Sequence, residues 1–257
     1  MTFSDDEIER YARHLVLAEL GGPGQQRLKA ARVGLIGLGG IGAPAALYLA
    51  AAGVGTLRLI DDDTVALSNL QRQILFTGAD TGRLKVETGA AALEALNPHV
   101  RIEPVAARLT GTNADDLIAG CDLVLDGTDD FATRFAVNAA CVAAGIPLVS
   151  GALGRWSGQV AVFEGRPCYQ CLVPAIPPEA ETCARAGVVG ALAGVVGSMA
   201  ALEVIKRITG AGTPLSGRLL LYDGLAGSAR AVSIMADPAC PVCGNGPARD
   251  HPEAAPG

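Results

Sequence analysis

The sequence predicts an α/β protein built on a doubly wound, mostly parallel sheet with an antiparallel extension toward its C-terminus. Two observations predict this fold. Apolar, strand-like runs alternate with helix-like stretches along residues 32–151, and two further strand-like runs follow on either side of a long helix-like stretch. Because a chain of 257 residues that is 50% apolar can bury one full core, we expect a single domain over residues 1–244.

The predicted elements begin with a helical arm at residues 1–24, which has helical spacing over 5–18 and is expected to end at the sequence GGPG. The elements that follow are strand 32–37, helix 41–52, strand 56–61, helix 85–96, strand 100–107, helix 113–119, strand 122–127, helix 131–144 and strand 147–151. Residues 159–165 and 218–224 are predicted as antiparallel strands around helix 187–208, and residues 245–257 as a disordered tail.

Charge and hydropathy exclude several classes of protein. A net charge of -6 provides no basic field to attract nucleic acid or an anionic membrane. The N-terminus is acidic where a secretory signal would be basic. The uncharged runs 33–57 and 186–202 are better explained by a buried strand–helix unit and by close packing of a Gly- and Ala-rich helix than by membrane spans. We therefore expect a cytoplasmic protein without nucleic-acid or membrane partners.

A glycine-rich turn joins the first strand to the first helix of the series. Gly37, Gly39, Gly40 and Gly42 form this turn, and Asp61 ends the next strand. In a Rossmann-like sheet the main-chain amides of such a turn face phosphate, and the carboxylate accepts hydrogen bonds from ribose hydroxyl groups. The pattern predicts a nucleotide site, but the turn alone does not distinguish NAD from ATP.

The polar segment that follows Asp61 favours ATP. It contains Arg72, and Lys85 begins the next predicted helix. A site that transfers hydride has little use for two cations near the phosphates, whereas breaking the bond between the α- and β-phosphates requires positive charge there. The alternative is that both are solvated surface charges. Four further polar residues of the segment are assigned to the nucleotide site: Asp63, Ser68, Asn69 and Gln73.

Two carboxylates follow the strand predicted at 122–127. Ligands bind at the carboxyl ends of parallel strands, and Mg²⁺ is held by one or two carboxylates together with phosphate oxygens. We therefore assign Asp129 to the metal that accompanies ATP. Asp130 fits the N-cap of the next helix better, although it is also a candidate nucleotide contact.

Seven cysteines occur, and four of them form two C-x-x-C pairs: Cys168, Cys171, Cys240 and Cys243. Four thiolates suit a tetrahedral, structural Zn²⁺ with no position left for water, while a redox pair or an iron–sulfur cluster is the alternative.

The other three cysteines carry weaker signals. Cys121 and Cys141 are predicted to be small core residues. Cys183, in a polar loop beside Arg185, is predicted to be either an activated or an inert thiol.

Taken together, GLGGIG, DDDTVALSNLQRQILF, Lys85, GTDD and the paired C-x-x-C resemble the bacterial E1-like adenylyltransferases of the ThiF/MoeB/HesA family over nearly the whole chain. The resemblance implies an enzyme that uses ATP and Mg²⁺ to join AMP to the C-terminal glycine of a ubiquitin-like sulfur carrier ending in Gly-Gly. Pyrophosphate leaves, and the acyl adenylate is later thiolated. The molybdopterin branch, with the small subunit of molybdopterin synthase as carrier, is the nearer match, and the thiamine-pathway carrier is the alternative.

The resemblance also assigns roles to residues at the nucleotide. It places Gly40 beneath the nucleotide, Asp61 at the ribose and Asp129 at Mg²⁺. Around the phosphates it places Asn69, Arg72 and Lys85.

Further implications concern the partner subunit and sulfur chemistry. Arg13 matches an arginine that reaches across a homodimer into the partner's site. Cys183 matches a cysteine that takes part in sulfur chemistry in the thiamine branch and is dispensable in the molybdopterin branch. Asp130 departs from the Asn that the family usually has, and its added negative charge is expected to weaken ATP binding or to change metal occupancy. The sequence shows no rhodanese-like domain, so we expect a separate sulfur donor.

Two functions from other classes compete with adenylation. An NAD-dependent oxidoreductase would bind its cofactor without ATP. A binding module stapled by zinc would hold a ubiquitin-like partner without catalysis, but the presence of Arg72, Lys85 and Asp129 argues against lost activity.

Overall fold

One eight-stranded sheet organises the protein, with strand order β3-β2-β1-β4-β5-β6-β7-β8. The computed structural model describes residues 2–176 and 187–244. The strands are β1 (Arg32–Ile36), β2 (Thr56–Ile60), β3 (Arg101–Val105), β4 (Leu123–Asp126), β5 (Leu148–Leu153), β6 (Ser157–Phe163), β7 (Arg218–Asp223) and β8 (Ser228–Ser233). The α-helices are α1 (Asp5–Arg10), α2 (Ala12–Leu15), α3 (Gly21–Ala30), α4 (Gly42–Ala51), α5 (Lys85–Leu96), α6 (Ala114–Ile118), α7 (Phe131–Ala144), α8 (Tyr169–Leu172) and α9 (Gly190–Thr209).

The sheet has a parallel half and an antiparallel half, as predicted. β3, β2, β1, β4 and β5 pair in parallel, and β6, β7 and β8 add to β5 in antiparallel register. The chain order reverses between β1 and β4, whose carboxyl ends therefore open a crevice. β4 is buried at every position, while β8 is exposed at every position. The site-forming crevice lies in the part of the sheet that is covered on both faces.

Helices cover both faces of the sheet because its central strands are apolar on both sides. One core is formed with α4, α5 and α9, and the other with α6 and α7. The small residues of α9, which belong to the run predicted to pack closely, have a packing role. A Cβ atom at Gly197 would lie 2.5 Å from Cγ of Pro44 in α4. Close packing of α9 on α4 therefore depends on that glycine.

The N-terminal arm differs from the prediction. The GGPG sequence does not end the arm but forms the start of α3, since proline is tolerated in the first turn of a helix. The single helix expected over 5–18 is divided into α1 and α2 at Tyr11. Tyr11 is buried, and its hydroxyl accepts a hydrogen bond of 2.9 Å from Nδ2 of the buried Asn97. Anchoring to the body of the protein thus shapes the arm more than helix propensity does.

The remaining predictions about the fold have mixed outcomes. β8 was missed, because its residues are exposed and show no apolar alternation. Cys121 and Cys141 are buried core residues, as predicted, and burial raises the pKa of Cys141 to about 12. Within residues 2–176 and 187–244, none of the helices combines the length and apolarity that a membrane crossing requires. Cys183 and the predicted tail at 245–257 lie outside the described residues.

Candidate nucleotide site and cysteine cluster

The glycine turn connects β1 to α4 in a conformation that only glycine can supply. Gly37 has a φ of 83°, in the left-handed region. A Cβ atom at Gly42 would lie 1.8 Å from the carbonyl oxygen of Gly37, so any larger residue would displace the turn. No side chain of the described residues caps the start of α4. The helix dipole favours an anion at this end, although the N–H of Ala43 donates to the carbonyl oxygen of Gly39 at 3.0 Å and Pro44 has no N–H.

A cavity of about 590 Å³ opens beside this turn, at the carboxyl ends of the parallel strands. Most of the residues that the sequence assigns to a nucleotide line it: Gly37, Gly39, Gly40, Asp61, Asp63, Asn69, Arg72, Gln73, Lys85, Asp129 and Asp130. Gly42 lies behind the lining, packed on Gly37, and Ser68 is exposed outside it. The fold thus brings residues that follow three separate strands, β1, β2 and β4, to one concave surface.

Asp61 lies at the end of β2 and is fixed by main-chain donors. The N–H of Leu38 donates to its Oδ2 at 2.6 Å, and the N–H of Asp63 donates to its Oδ1 at 2.8 Å. Burial raises the pKa of Asp61 above its ordinary value, although the Lys85 ammonium and these two hydrogen bonds act in the opposite direction. The carboxylate is therefore oriented toward the cavity before any ligand arrives.

Lys85 begins α5 with a buried side chain whose charge is already compensated. Its Nζ lies 2.7 Å from Oδ2 of Asp63 and 4.0 Å from Oδ2 of Asp61. The side chain of Lys85 is 5% exposed, while that of Asp63 is 70% exposed. The exposed partner can turn away to solvent at small cost, so an incoming anion can replace it at the ammonium.

The segment between Asp61 and Lys85 places a cation and two amides at the cavity. Arg72 Nη1 donates to the main-chain oxygen of Ser68 at 3.2 Å. A Cβ atom at Gly40 would lie 3.5 Å from Cδ of Arg72, so the arginine stem packs beside the glycine turn. Gln73 is 3% exposed, and its Oε1 has no hydrogen-bond partner among the described residues. A buried polar atom without a partner is costly, which favours a ligand there.

The loop after β4 holds the two aspartates in different ways. The Asp130 carboxylate caps α7, accepting from the N–H of Thr133 at 3.0 Å and its hydroxyl at 2.7 Å. Burial acts to raise the pKa of Asp130, but these bonds and the Arg108 guanidinium outweigh it, and the pKa lies below its ordinary value. Asp129 lines the cavity and makes no hydrogen bond in the described part of the chain. Asp129 is therefore the carboxylate that is available to a cation.

Sequence reasoning missed a buried ion pair beneath this loop. Arg134 Nη2 donates to the carbonyl oxygens of Thr128 and, at 2.7 Å, of Gly151. Its Nη1 lies 4.0 Å from Oδ2 of Asp126, whose Oδ1 accepts from the hydroxyl of Thr128 at 2.6 Å. Arg134 therefore links the loop that follows β4 to β5. The available signal was an arginine among the apolar residues of FATRFAVNAA.

The four cysteines of the C-x-x-C pairs meet in one cluster, next to the partly buried Val142 and Val242. All four sulfur atoms lie within 4.8 Å of one another. The Cys168–Cys240 and Cys171–Cys243 sulfur distances are 3.6 and 3.3 Å. Tetrahedral Zn²⁺ with Zn–S bonds of about 2.3 Å requires roughly 3.8 Å between sulfurs. The cluster fits such an ion with a small expansion.

Comparison with known proteins decides the family. Residues 11–242 match the ThiF family. The chain belongs to the ThiF family. The molybdopterin-synthase adenylyltransferase of Escherichia coli is 48% identical over 244 residues, which cover 94% of this chain and 98% of that protein. The sulfur carrier protein adenylyltransferase of Thermus thermophilus is 46% identical over 256 residues, covering 96% of this chain and 94% of that protein.

These relatives confirm the predicted family and the prediction that this ThiF-family chain is an adenylyltransferase. A solved structure of E. coli MccB with ATP is 25% identical to it, with a TM-score of 0.75 over 86% of this chain and 68% of that one. The fold described above is thus shared with a protein that has been solved with ATP.

One predicted residue of the ThiF-family site lies away from the cavity of its own chain. Arg13 is exposed on α2 and does not line the cavity. A role in catalysis would require it to act in a second copy of the chain. A residue that the sequence did not suggest, Arg108, does line the cavity beside Asp130.

Proposed function

We propose that the protein transfers AMP from ATP to the C-terminal glycine of a ubiquitin-like sulfur carrier ending in Gly-Gly. The observation that carries the proposal is one cavity that combines a glycine turn, the oriented carboxylate of Asp61, and the two cations Arg72 and Lys85. The named activities of the E. coli and T. thermophilus relatives support it. An oxidoreductase would have no use for this pair of cations at the phosphate end.

The residues suit displacement at the α-phosphorus of ATP. One carboxylate oxygen of the carrier's terminal glycine attacks this phosphorus, an acyl–phosphate bond forms, and the bond to the bridging oxygen breaks to release pyrophosphate. A terminal carboxyl group has a pKa of about 3.5, so it arrives ionised and needs no general base. The difficulty is to bring an anion to a polyanion. Arg72 and Lys85 supply compensating charge, and the glycine turn positions the phosphates.

We assign the other ligands of ATP to residues that the structure leaves available. Asp61 would accept from the ribose hydroxyl groups, and Asn69 and Gln73 would contact the phosphates. Asp129 would hold Mg²⁺ through its free carboxylate, and this ion would neutralise charge on the phosphate oxygens. Asp63 would release Lys85 as the phosphates replace it, because Asp63 is exposed and can remain solvated.

We propose the small subunit of molybdopterin synthase as the carrier, which would place the enzyme in molybdenum cofactor biosynthesis. The 48% identity with the E. coli molybdopterin-synthase adenylyltransferase supports this choice. The thiamine-pathway carrier is the second candidate. The name of the T. thermophilus relative, a sulfur carrier protein adenylyltransferase, specifies no branch and so keeps that candidate in the test.

We further propose that residues 1–244 form one adenylation domain in which the four-cysteine cluster binds structural Zn²⁺. The cluster joins a segment after β6 to a segment after β8, and it offers only sulfur ligands. With four protein ligands such a site has no position for water or substrate, so its contribution is to stability. Because all four thiolates of the cluster would be bound to zinc, we propose that a separate donor protein supplies sulfur to the acyl adenylate.

The deciding experiment is carrier-dependent exchange of labelled pyrophosphate into ATP, with Mg²⁺ and each candidate carrier in turn. Exchange should require an intact Gly-Gly end, and the carrier that supports it names the pathway. Arg72→Ala and Asp129→Ala should lower exchange at least about a hundredfold, since each removes charge that stabilises the transition state. Full activity in either variant would refute its assignment. Arg101→Ala, an exposed arginine outside the cavity, is the matched control.

A second experiment tests the proposed homodimer and the role of Arg13. Arg13→Ala and Asp129→Ala proteins should each be inactive alone. If Arg13 acts in the partner's site, mixing them after dissociation should restore up to about a quarter of wild-type activity, because half of the chains form mixed dimers with one intact site each. No restoration in confirmed mixed dimers would place Arg13 in its own subunit's site or outside catalysis.

A further inference from the structure

Arg108 stands at the mouth of the cavity, in the loop that follows β3. Its side chain is 61% exposed, and Nη2 lies 3.3 Å from Oδ2 of Asp130. The loop itself is held by Asn113, whose Nδ2 donates to the carbonyl oxygen of Arg108 at 3.0 Å. Asn113 also accepts from the N–H of Thr110 at 2.8 Å. The side chain therefore leaves a main chain that Asn113 holds, and its guanidinium contacts the residue that caps α7.

The position of Arg108 along the sheet tells which end of a nucleotide it would meet. The phosphate end is at the glycine turn after β1, and the ribose carboxylate, Asp61, follows β2. β3 is the next strand outward, so the main chain of its loop lies on the far side of Asp61 from the glycine turn, while the Arg108 side chain reaches back to the loop that follows β4. The lining on both sides of the Arg108–Asp130 contact includes apolar side chains, because Ala107 and Leu109 flank Arg108 and Phe131 follows Asp130. An apolar end beyond the ribose is suited to a flat base.

The pairing with Asp130 has little value for stability but a definite geometric effect. Exposed ion pairs contribute about 0–1 kcal/mol to folding. Asp130 is already used as the cap of α7, so the loop after β4 does not need Arg108. The contact places the planar guanidinium at the edge of the cavity that Arg108 lines, next to the buried Leu109. Arginine planes stack on aromatic rings and are attracted to their faces.

We infer that Arg108, oriented by Asp130, forms one wall of the base end of the cavity and stacks on the adenine ring of ATP. The inference rests on the proposed ATP site. Arg108 is then a nucleotide-contact residue that takes no part in the displacement at phosphorus. Asp130 contributes through Arg108, in addition to capping α7.

The test measures equilibrium binding of ATP, adenosine and inorganic pyrophosphate to the full-length protein, without any carrier. Arg108→Ala should weaken ATP and adenosine about three- to tenfold and leave pyrophosphate unchanged. Arg108→Lys keeps the positive charge but lacks the planar guanidinium, and it should lose the same affinity for ATP and adenosine. Arg108→Gln keeps a planar group and should recover part of the affinity. Arg101→Ala, which removes an exposed arginine of β3, should bind all three ligands as the wild type does.

Asp130→Asn tests the orienting role, because Asn is an equally good N-cap and keeps α7 intact. It should weaken adenosine binding about twofold or more, and it should cause no further loss in an Arg108→Ala background.

Three results would overturn the inference. They are unchanged adenosine binding in Arg108→Ala, weakened pyrophosphate binding in that variant, and full restoration by Arg108→Lys. The last two would make Arg108 a phosphate contact. The proposed ATP site is itself refuted if the wild type binds pyrophosphate and adenosine but not ATP, or if it binds none of the three. Normal ATP binding by Arg108→Ala refutes only the role of Arg108.

Discussion

The cysteine cluster and the nucleotide cavity are both assembled from distant parts of the chain. They differ in whether their ligand atoms already face one another or remain partly unpaired. In the cluster, four sulfur atoms turn toward one another, and Cys168 is completely buried. In the cavity, charged groups are paired only in part. Among the described residues, Asp129 and Oε1 of Gln73 have no hydrogen-bond partner, and Lys85 is held by an exposed aspartate.

This difference distinguishes residues that stabilise the folded protein from residues that are available to bind its substrate. A closed set of ligands can lower the free energy of the folded state permanently, because nothing has to enter or leave. A nucleotide site must hold polar groups whose best hydrogen-bond partners arrive with the ligand. Until the ligand binds, these unpaired groups destabilise the folded protein. Removing cluster residues should therefore reduce stability first, whereas changes in the cavity should reduce binding and activity first.

The largest expected effect is on the cluster. Cys240→Ser should lose bound zinc and more than about 3 kcal/mol of unfolding free energy, a fraction of the roughly 10–16 kcal/mol that structural zinc contributes in zinc-finger peptides. Metal analysis and thermal unfolding measure both effects. Cys141→Ala is the control, because this buried thiol lies outside the cluster and its loss should leave zinc bound. Unchanged stability together with full loss of zinc would refute a structural role.

The next largest effect tests the buried pair beneath the cavity, where stability and site geometry meet. Arg134→Met removes the donor to Thr128 and Gly151 and leaves Asp126 buried without its cation. Breaking a buried pair costs about 3–5 kcal/mol. Urea unfolding should show this loss, and adding Asp126→Asn should recover part of it. A loss of unfolding free energy below about 1 kcal/mol would show that Arg134 does not stabilise the loop that follows β4.

A smaller effect on stability, with a large effect on binding, is expected at the glycine turn. Gly42→Ala places a methyl group against the carbonyl oxygen of Gly37, which overpacks the turn and should cost about 1–3 kcal/mol. ATP affinity should fall at least about tenfold, because the phosphate-facing amides shift. Gly78→Ala is the control, since a Cβ atom there meets nothing within 4 Å. Normal ATP binding by Gly42→Ala would refute the proposal that the glycine turn binds the phosphates of ATP.

The smallest effect concerns pH. Burial raises the pKa of Asp61 above 3.8, so on acidification this carboxylate takes up its proton at a higher pH than an ordinary aspartate. Protonation removes an acceptor for ribose, and adenosine binding should therefore weaken as pH falls through the pKa of Asp61. Calorimetric titration of adenosine between about pH 7 and pH 4 measures this change. Asp62→Asn should keep the pH dependence, and Asp61→Asn should abolish it; an unaltered profile in Asp61→Asn would contradict the assignment.

Much of the fold could be predicted because its signals are local. The apolar runs of β1, β2 and β4 stand out against their flanking residues, and the glycines of the turn mark where the backbone must be unusual. β8 could not be predicted, because its exposed residues have no pattern apart from the pairing that β7 provides. α3 was hidden by glycine and proline, which are poor helix formers except at a helix start.

The sequence by itself determined the alternation of strands and helices, the glycine turn with its acidic partner, and the four cysteines able to share a metal. Each depends on neighbouring residues or on residue type. Only the tertiary structure decided which charges face one another: Lys85 with Asp63, Arg134 with Asp126, and Arg108 with Asp130. The order of strands in the sheet sets these pairs, because it brings the loops after separate strands to one edge. Electrostatic attraction between charges depends on that distance in space.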